Sequence, residues 1–329
     1  MDAFYDVAAA KNALTQLVAE RCSGKNLGQQ LSTYGEQIPT SLSTLITASP
    51  AGIRLTTSIA DAVDIQEVVL RVQGAICFAQ LPPIRAGRQL PERGDARFLK
   101  QTIRLTGFGS AEFQQAVSGI ANIATLMGDN LERGDIESWK PERYRTWQTL
   151  DIGNRYFRRQ NNEGDAVPIS LPRNVDPDGI LAKLAGDEWV HTEDNEVRYF
   201  GLVPSVAGKP KYEPIDPSEF KLGDIVEVQC SAVGIRRRGR EEVYNLRLVL
   251  RALTLLDASH GKAARANRMQ QAIQSPQSPA RGIKRTVGYL DDDSDHDEEN
   301  SVPTAKMTKL TVNDAAASGI GSQSPMQES

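Results

Sequence analysis

Hydrophobic and polar positions change rhythm along this chain. Between Asp2 and Arg21, Phe4, Val7, Ala8, Leu14, Leu17 and Val18 recur near a helical period with charges between them, which predicts a helix. Two glycines in SGKNLGQQ end it. Residues 31–50, rich in Ser, Thr and Pro, read as a loosely ordered connection, and EVVLRVQGAICFAQ fits either a strand or the start of a helix. LPPIRAGRQLPERGDARF, with three prolines and two glycines, predicts an exposed loop. KQTIRLT (100–106) alternates as a strand does. A helix follows over Ser110–Met127, with Ser110 as its cap and Phe113, Val117, Ile120, Ile123 and Leu126 as its apolar stripe. ERGD occurs at 92–95 and 132–135, but the flanks differ, so it marks turn chemistry and not a repeat.

Beyond RQNNEGD (159–165), a plausible boundary, the pattern becomes mostly β. VPISL reads as a short strand, and Asp176 or Asp178 caps a short helix through Gly179–Leu184. EWVHTEDNEVRYFGLV reads as two strands joined at Glu193–Asn195. In Asp224–Gly234, Val226, Val228, Cys230 and Ala232 share one face, and Glu227, Gln229 and Ser231 the other. In Val243–Leu256, Tyr244, Leu246, Leu248, Leu250 and Leu256 oppose Asn245, Arg247 and Arg251. Two period-two runs around a Gly-containing turn predict an antiparallel hairpin with one buried side. One permitted register sets Glu227 opposite Arg251 and Ser231 opposite Arg247. Ala258–Ala272 predicts a basic helix.

These elements define an α+β protein. A mixed N-terminal region (1–160) precedes a mainly antiparallel β module (161–272), a sandwich or small barrel, and a disordered acidic tail (273–329). Charge sharpens the division. The 329 residues carry a formal net charge of −4, yet Phe220–Arg268 holds ten basic and five acidic side chains. From Ile273 onwards there are five basic and nine acidic residues. Three widely spaced cysteines offer neither a disulfide framework nor a metal knuckle, as expected in a reducing compartment. With no secretory pattern and no long apolar run, the expectation is an intracellular protein without a membrane partner. The basic RGIKR leans the localisation towards the nucleus, without deciding between nucleus and cytoplasm. The tail offers Ser275, Ser278, Ser294 and Ser324 as phosphorylation candidates.

The sharpest candidate for function is the hairpin tip, GIRRRGREE. Arg236, Arg237, Arg238 and Arg240 crowd around Gly239, with Arg247 and Arg251 further along the strand. Arginine donates paired hydrogen bonds to phosphate, so such a tip suits nucleic acid. Some oligonucleotide-binding barrels combine a surface of this kind with stacking aromatics. The bland alternative is a solvated turn, with Arg251 already partnered by Glu227 and with Glu241 and Glu242 diluting the charge. The aromatic–basic stretch around Trp139, Tyr144 and Trp147 suits either base stacking or core anchoring.

Other chemistry is thin. TGFGSAEF sits where a phosphate loop would, but Glu112 occupies the third glycine position and repels phosphate, leaving a strand-to-helix turn. His191 has Glu193 and Asp194 nearby, but no third ligand and no nucleophile motif accompany it. No catalytic residue, metal ligand or cofactor is therefore assigned.

RNVDPDGILAKLAGDEWVHTEDNEVRYF, FKLGDIVEVQCSAV, LRLVLRALTLLD and KRTVGYLDDD together resemble uncharacterised predicted proteins present in many copies in mushroom-forming fungi. The resemblance covers roughly residues 140–295 and implies a fungal intracellular origin. It assigns no activity and carries over no site residue. The expected function is a non-enzymatic binding protein that contacts nucleic acid. A protein-interaction scaffold is the alternative, and a hydrolase or other enzyme with an unrecognised site the third.

Overall fold

A computed structural model describes residues 1–23, 29–48, 51–57, 65–85, 96–131, 134–160, 167–203, 211–237 and 243–274. The elements, in chain order, are α1 (Val7–Cys22), β1 (Leu42–Ala48), β2 (Ala51–Thr57), β3 (Gln66–Glu67), β4 (Leu70–Gln80) and β5 (Lys100–Thr106). Next come α2 (Ala111–Asp129), β6 (Asp135–Ile136), β7 (Glu142–Tyr144), β8 (Trp147–Arg155) and β9 (Arg158–Arg159). Then follow α3 (Ile180–Ala185), β10 (Trp189–Val190), β11 (Arg198–Val203), β12 (Lys211–Pro214), β13 (Ile225–Arg236), β14 (Val243–Asp257) and α4 (Ser259–Gln274). Several helix ends follow from single side chains. Asp6 accepts the Ala9 N–H at the start of α1, Ser110 accepts that of Phe113 at α2, and Asp176 accepts those of Leu181 and Ala182 at α3.

Five strands close into a ring. β4 pairs antiparallel with β5, β5 with β8, β8 parallel with β14, β14 antiparallel with β13, and β13 antiparallel with β4. Three strands in succession, with the fourth returning beside the first, make a Greek key, and β14 closes it into a small barrel. Val72, Ile76, Ile103, Leu105, Leu150, Ile152, Val228, Cys230, Leu248 and Leu250 fill it, and α2 packs Phe113, Val117 and Ile120 against the same core. Two ribbons extend the sheet. β1 and β2 continue from the far end of β13, while β11 and β12 continue from β14.

The α+β class, its mainly antiparallel sheet and its small barrel agree with the expectation. The boundary at 160 does not: β4, β5 and β8 precede it, β13 and β14 follow it, and Met1–Pro276 forms one compact unit. Residues 42–48 and 70–80, read as a connection and as ambiguous, are strands. VPISL makes no strand; it is tied to the 191 segment by the Ile169 N–H donating to the His191 carbonyl. The two strands around Glu193–Asn195 are not a hairpin, since β10 pairs with β9 and β11 with β14 and β12. The expected disordered tail lies outside the described residues beyond Gln274. Among the described residues no helix is long and apolar enough to cross a membrane.

Candidate nucleic-acid interface

The hairpin register is offset from the expected one by two residues at its tip end, and a β-bulge breaks it further along. Ser231 pairs with Val249 and Val233 with Arg247, but beyond the shift between Gln229 and Cys230, Glu227 pairs with Thr254. Arg251 is the extra residue. A bulge flips the alternation beyond it, so Leu253 and Leu255 turn to the core where the unbroken pattern assigned Leu256.

The bulge also re-aims Arg251. Its guanidinium donates to Ser231 Oγ (3.1 Å), the Asp194 carbonyl (2.8 Å) and the Glu67 carboxylate (2.7 Å). Arg54 completes the network, 2.7 Å from Glu67 and 3.4 Å from Asp194. Arg251 is therefore partnered, by Glu67 and Asp194 and not by Glu227. Glu227 is 1% exposed, accepts from Gln73 Nε2 at 2.8 Å, and lies 3.6 Å from Arg71 and 3.7 Å from Arg21.

The six arginines singled out from the sequence do not form one track. Arg236 is exposed at the end of β13, and Arg237 is held by both oxygens of Glu137, at 3.0 and 3.1 Å. Arg247 is exposed beside Val233. Arg238 and Arg240 lie outside the described residues, as do Ser275, Ser278, Ser294 and Ser324.

A different face gathers what the tip disperses. On the outside of the barrel the side chains of β4, β5 and β8 fall into rows: Phe78, Arg104 and Asp151; Gln80, Thr102 and Gly153; Lys100 and Arg155. Arg104 is neutralised by Asp151 at 2.7 Å and by Glu142. Phe78 is 48% exposed on a barrel strand, and Phe98, two residues before Lys100, is 55% exposed with the Arg97 guanidinium 4.5 Å from its ring centre. Lys100 and Arg155 are both exposed, stand directly opposite each other, and have no ion pair with a described residue. Sequence reading missed this face. Its one legible trace was the polar alternation Lys100, Thr102, Arg104; Phe78 was hidden in an apolar run.

The remaining candidates resolve into structure. Tyr156 and Phe157 are buried, and Trp147 packs edge-on against Phe108 and stacks beside Tyr144, so the aromatic–basic stretch is largely anchoring. In TGFGSAEF, a Cβ on Gly107 would lie 2.2 Å from Phe113 Cβ, so Phe113 fills the turn. His191 is buried with Nδ1 2.7 Å from the Tyr156 carbonyl, to which it donates; burial lowers its pKa, so the ring is neutral. A groove of about 1100 Å³ is lined by Glu193 and Asp194, not by His191. No family model matches the chain, and no curated protein matches it.

Proposed function

We propose that this protein binds single-stranded nucleic acid on the outer face of β4, β5 and β8. The carrying observation is the juxtaposition of Lys100 and Arg155, without an ion pair to a described residue, on the face that also exposes Phe78 two rows further along. Like charges opposite each other across a strand pair cost stability, where opposite charges would gain ~0.2–1 kcal/mol. A phosphate between them removes that cost and receives two charge-assisted contacts. Phe78 and Phe98 supply sequence-tolerant platforms, each stacked base adding ~1–3 kcal/mol. Small Greek-key barrels recur as carriers of such sites, an analogy of scaffold that supports the reading without carrying it. The arginine tip contributes general attraction from the β13–β14 turn.

The test is fluorescence anisotropy of the full chain with labelled single-stranded DNA and RNA at two salt concentrations. Wild type is compared with Lys100→Ala/Arg155→Ala, Phe78→Ala, and the quadruple alanine variant of Arg236, Arg237, Arg238 and Arg240. The double variant should weaken binding and flatten the log–log salt slope by about 0.7 per lost phosphate contact. Phe78→Ala should weaken binding with the slope unchanged. Absence of binding by folded wild type, or binding indifferent to Lys100 and Arg155, overturns the reading.

A further inference from the structure

The sheet runs out at two strands, and these two ends are built differently. At one end stands β12, four residues that include Lys211, Glu213 and Pro214. Charge, proline and a short span are common means of keeping an open strand edge from pairing with another chain. At the other end stands β1, LSTLITA, seven residues with no charge and no proline. Its register with β2 is unbroken over all seven, so no bulge bends the edge away. Among the described residues β1 pairs with β2 alone, which leaves a row of its backbone donors and acceptors open on the other side.

The side chains of β1 are open as well. Ile46 stands opposite Ile53 and Leu45 opposite Arg54. Ile53 is buried, yet Ile46 on the same face is 59% exposed, and Leu45 is exposed on the other face. β1 therefore carries apolar surface past the rim of the core on both sides of the sheet. An edge of this kind matches another uncharged strand.

We propose that β1 pairs antiparallel with β1 of a second copy of this chain, joining the two sheets across a twofold axis at Leu45. Full overlap of the seven residues places the axis at the middle one. Leu45 then faces Leu45 of the second copy, Ser43 faces Thr47, Thr44 faces Ile46 and Leu42 faces Ala48. One face gains a leucine pair flanked by two Ser–Thr pairs, and on the other the two Ile46 side chains become diagonal neighbours. The strand is thus complementary to itself in the one register that uses its whole length, with no charge to bury. A second copy also suits this edge better than a free peptide, because its β1 is already extended by pairing with β2 and its ordering cost was met in folding. The contact is isologous and closes on itself, so it gives a dimer and not a fibre. A single strand pair is a small interface, so the dimer is reversible. β2 and β13 separate this edge from β4, and the proposal does not depend on the nucleic-acid face.

The test is sedimentation velocity of the full chain from micromolar to submillimolar concentration, without nucleic acid. A monomer–dimer equilibrium is expected. Leu45→Glu sets two carboxylates face to face at the axis, while within one copy the new carboxylate stands opposite Arg54. It should weaken the dimer by about tenfold or more, with the circular dichroism spectrum unchanged. Leu45→Cys tests the register without adding charge. Directly opposed residues have Cα atoms about 4.5–5.5 Å apart, within reach of a disulfide, so mild oxidation should link this variant into dimers. Wild type, with Cys22 partly exposed, should not link. Ile46→Cys is more exposed but diagonal across the axis, and should link more slowly. A monomer at every concentration, a dimer that Leu45→Glu leaves intact, or linking no faster at position 45 than at position 46 overturns the proposal.

Discussion

Asp224 accepts the backbone N–H of Lys221 at 2.8 Å on one carboxyl oxygen, while its other oxygen is buried without a hydrogen-bond partner among the described residues. Burial raises its pKa to about 6, against the lowering effects of the Lys221 N–H and of Arg265, Lys262 and Lys221. The folded protein therefore holds a proton here that the unfolded chain has released between about pH 4 and 6. Stability from this group is fully present at low pH and falls as pH rises through that window. Asp224→Asn should remove this dependence and stabilise the protein at pH 7.5 by on the order of 3 kcal/mol, the equivalent of about two pH units. Urea unfolding of both proteins from pH 4 to 8 checks it; parallel curves would refute the assignment.

Arg251→Ala removes one of the two cations, with Arg54, that Glu67 and Asp194 share, and leaves Ser231 without its donor. Since Arg251 keeps 16% side-chain exposure, the expected loss is about 1–3 kcal/mol, below that of a wholly buried pair. Arg237→Ala, which breaks an ion pair exposed on both sides, should change stability by less than about 1 kcal/mol. Chemical denaturation of the two variants side by side separates these cases.

A fragment spanning residues 161–272 should not fold. It contains β13 and β14 but lacks β4, β5 and β8, and so exposes Val226, Val228, Leu248 and Leu250. A fragment of residues 1–276 should fold. Near-ultraviolet circular dichroism of the two decides the matter, and a cooperative transition in the shorter one would contradict the closed ring.

Gly107→Ala places a methyl group 2.2 Å from Phe113 Cβ, at the turn that joins β5 to α2. Overpacking of this kind costs about 1–3 kcal/mol. A matching drop in the urea midpoint is the expected result.

Local chemistry was legible in the chain. Ser110 announced its helix start, Asp176 or Asp178 was offered for the next and Asp176 supplies it, and the alternation of Val226, Val228 and Cys230 announced a one-sided strand. Partners far along the chain were not. Nothing in LRVQGAICFAQ says that Ala75 pairs with Ile225, because either strand offers the same hydrogen-bonding edge to many others. The bulge at Arg251 escaped for a related reason. Strict period two has no term for an added residue, so Leu256 was assigned to the face that Leu253 and Leu255 take. The site suffered most, since Phe78, Lys100 and Arg155 come to share one face only through the register of three strands.

The order in which the ring is assembled has a consequence during synthesis. A ribosome releases β4, β5 and β8 long before β13 and β14, which alone can close them. At ~5–20 residues per second, Ala75 waits on the order of ten seconds for Ile225. From the emergence of β8 until that of β13 the nascent chain carries three paired strands with two open edges and an uncovered apolar face, a substrate for chaperones.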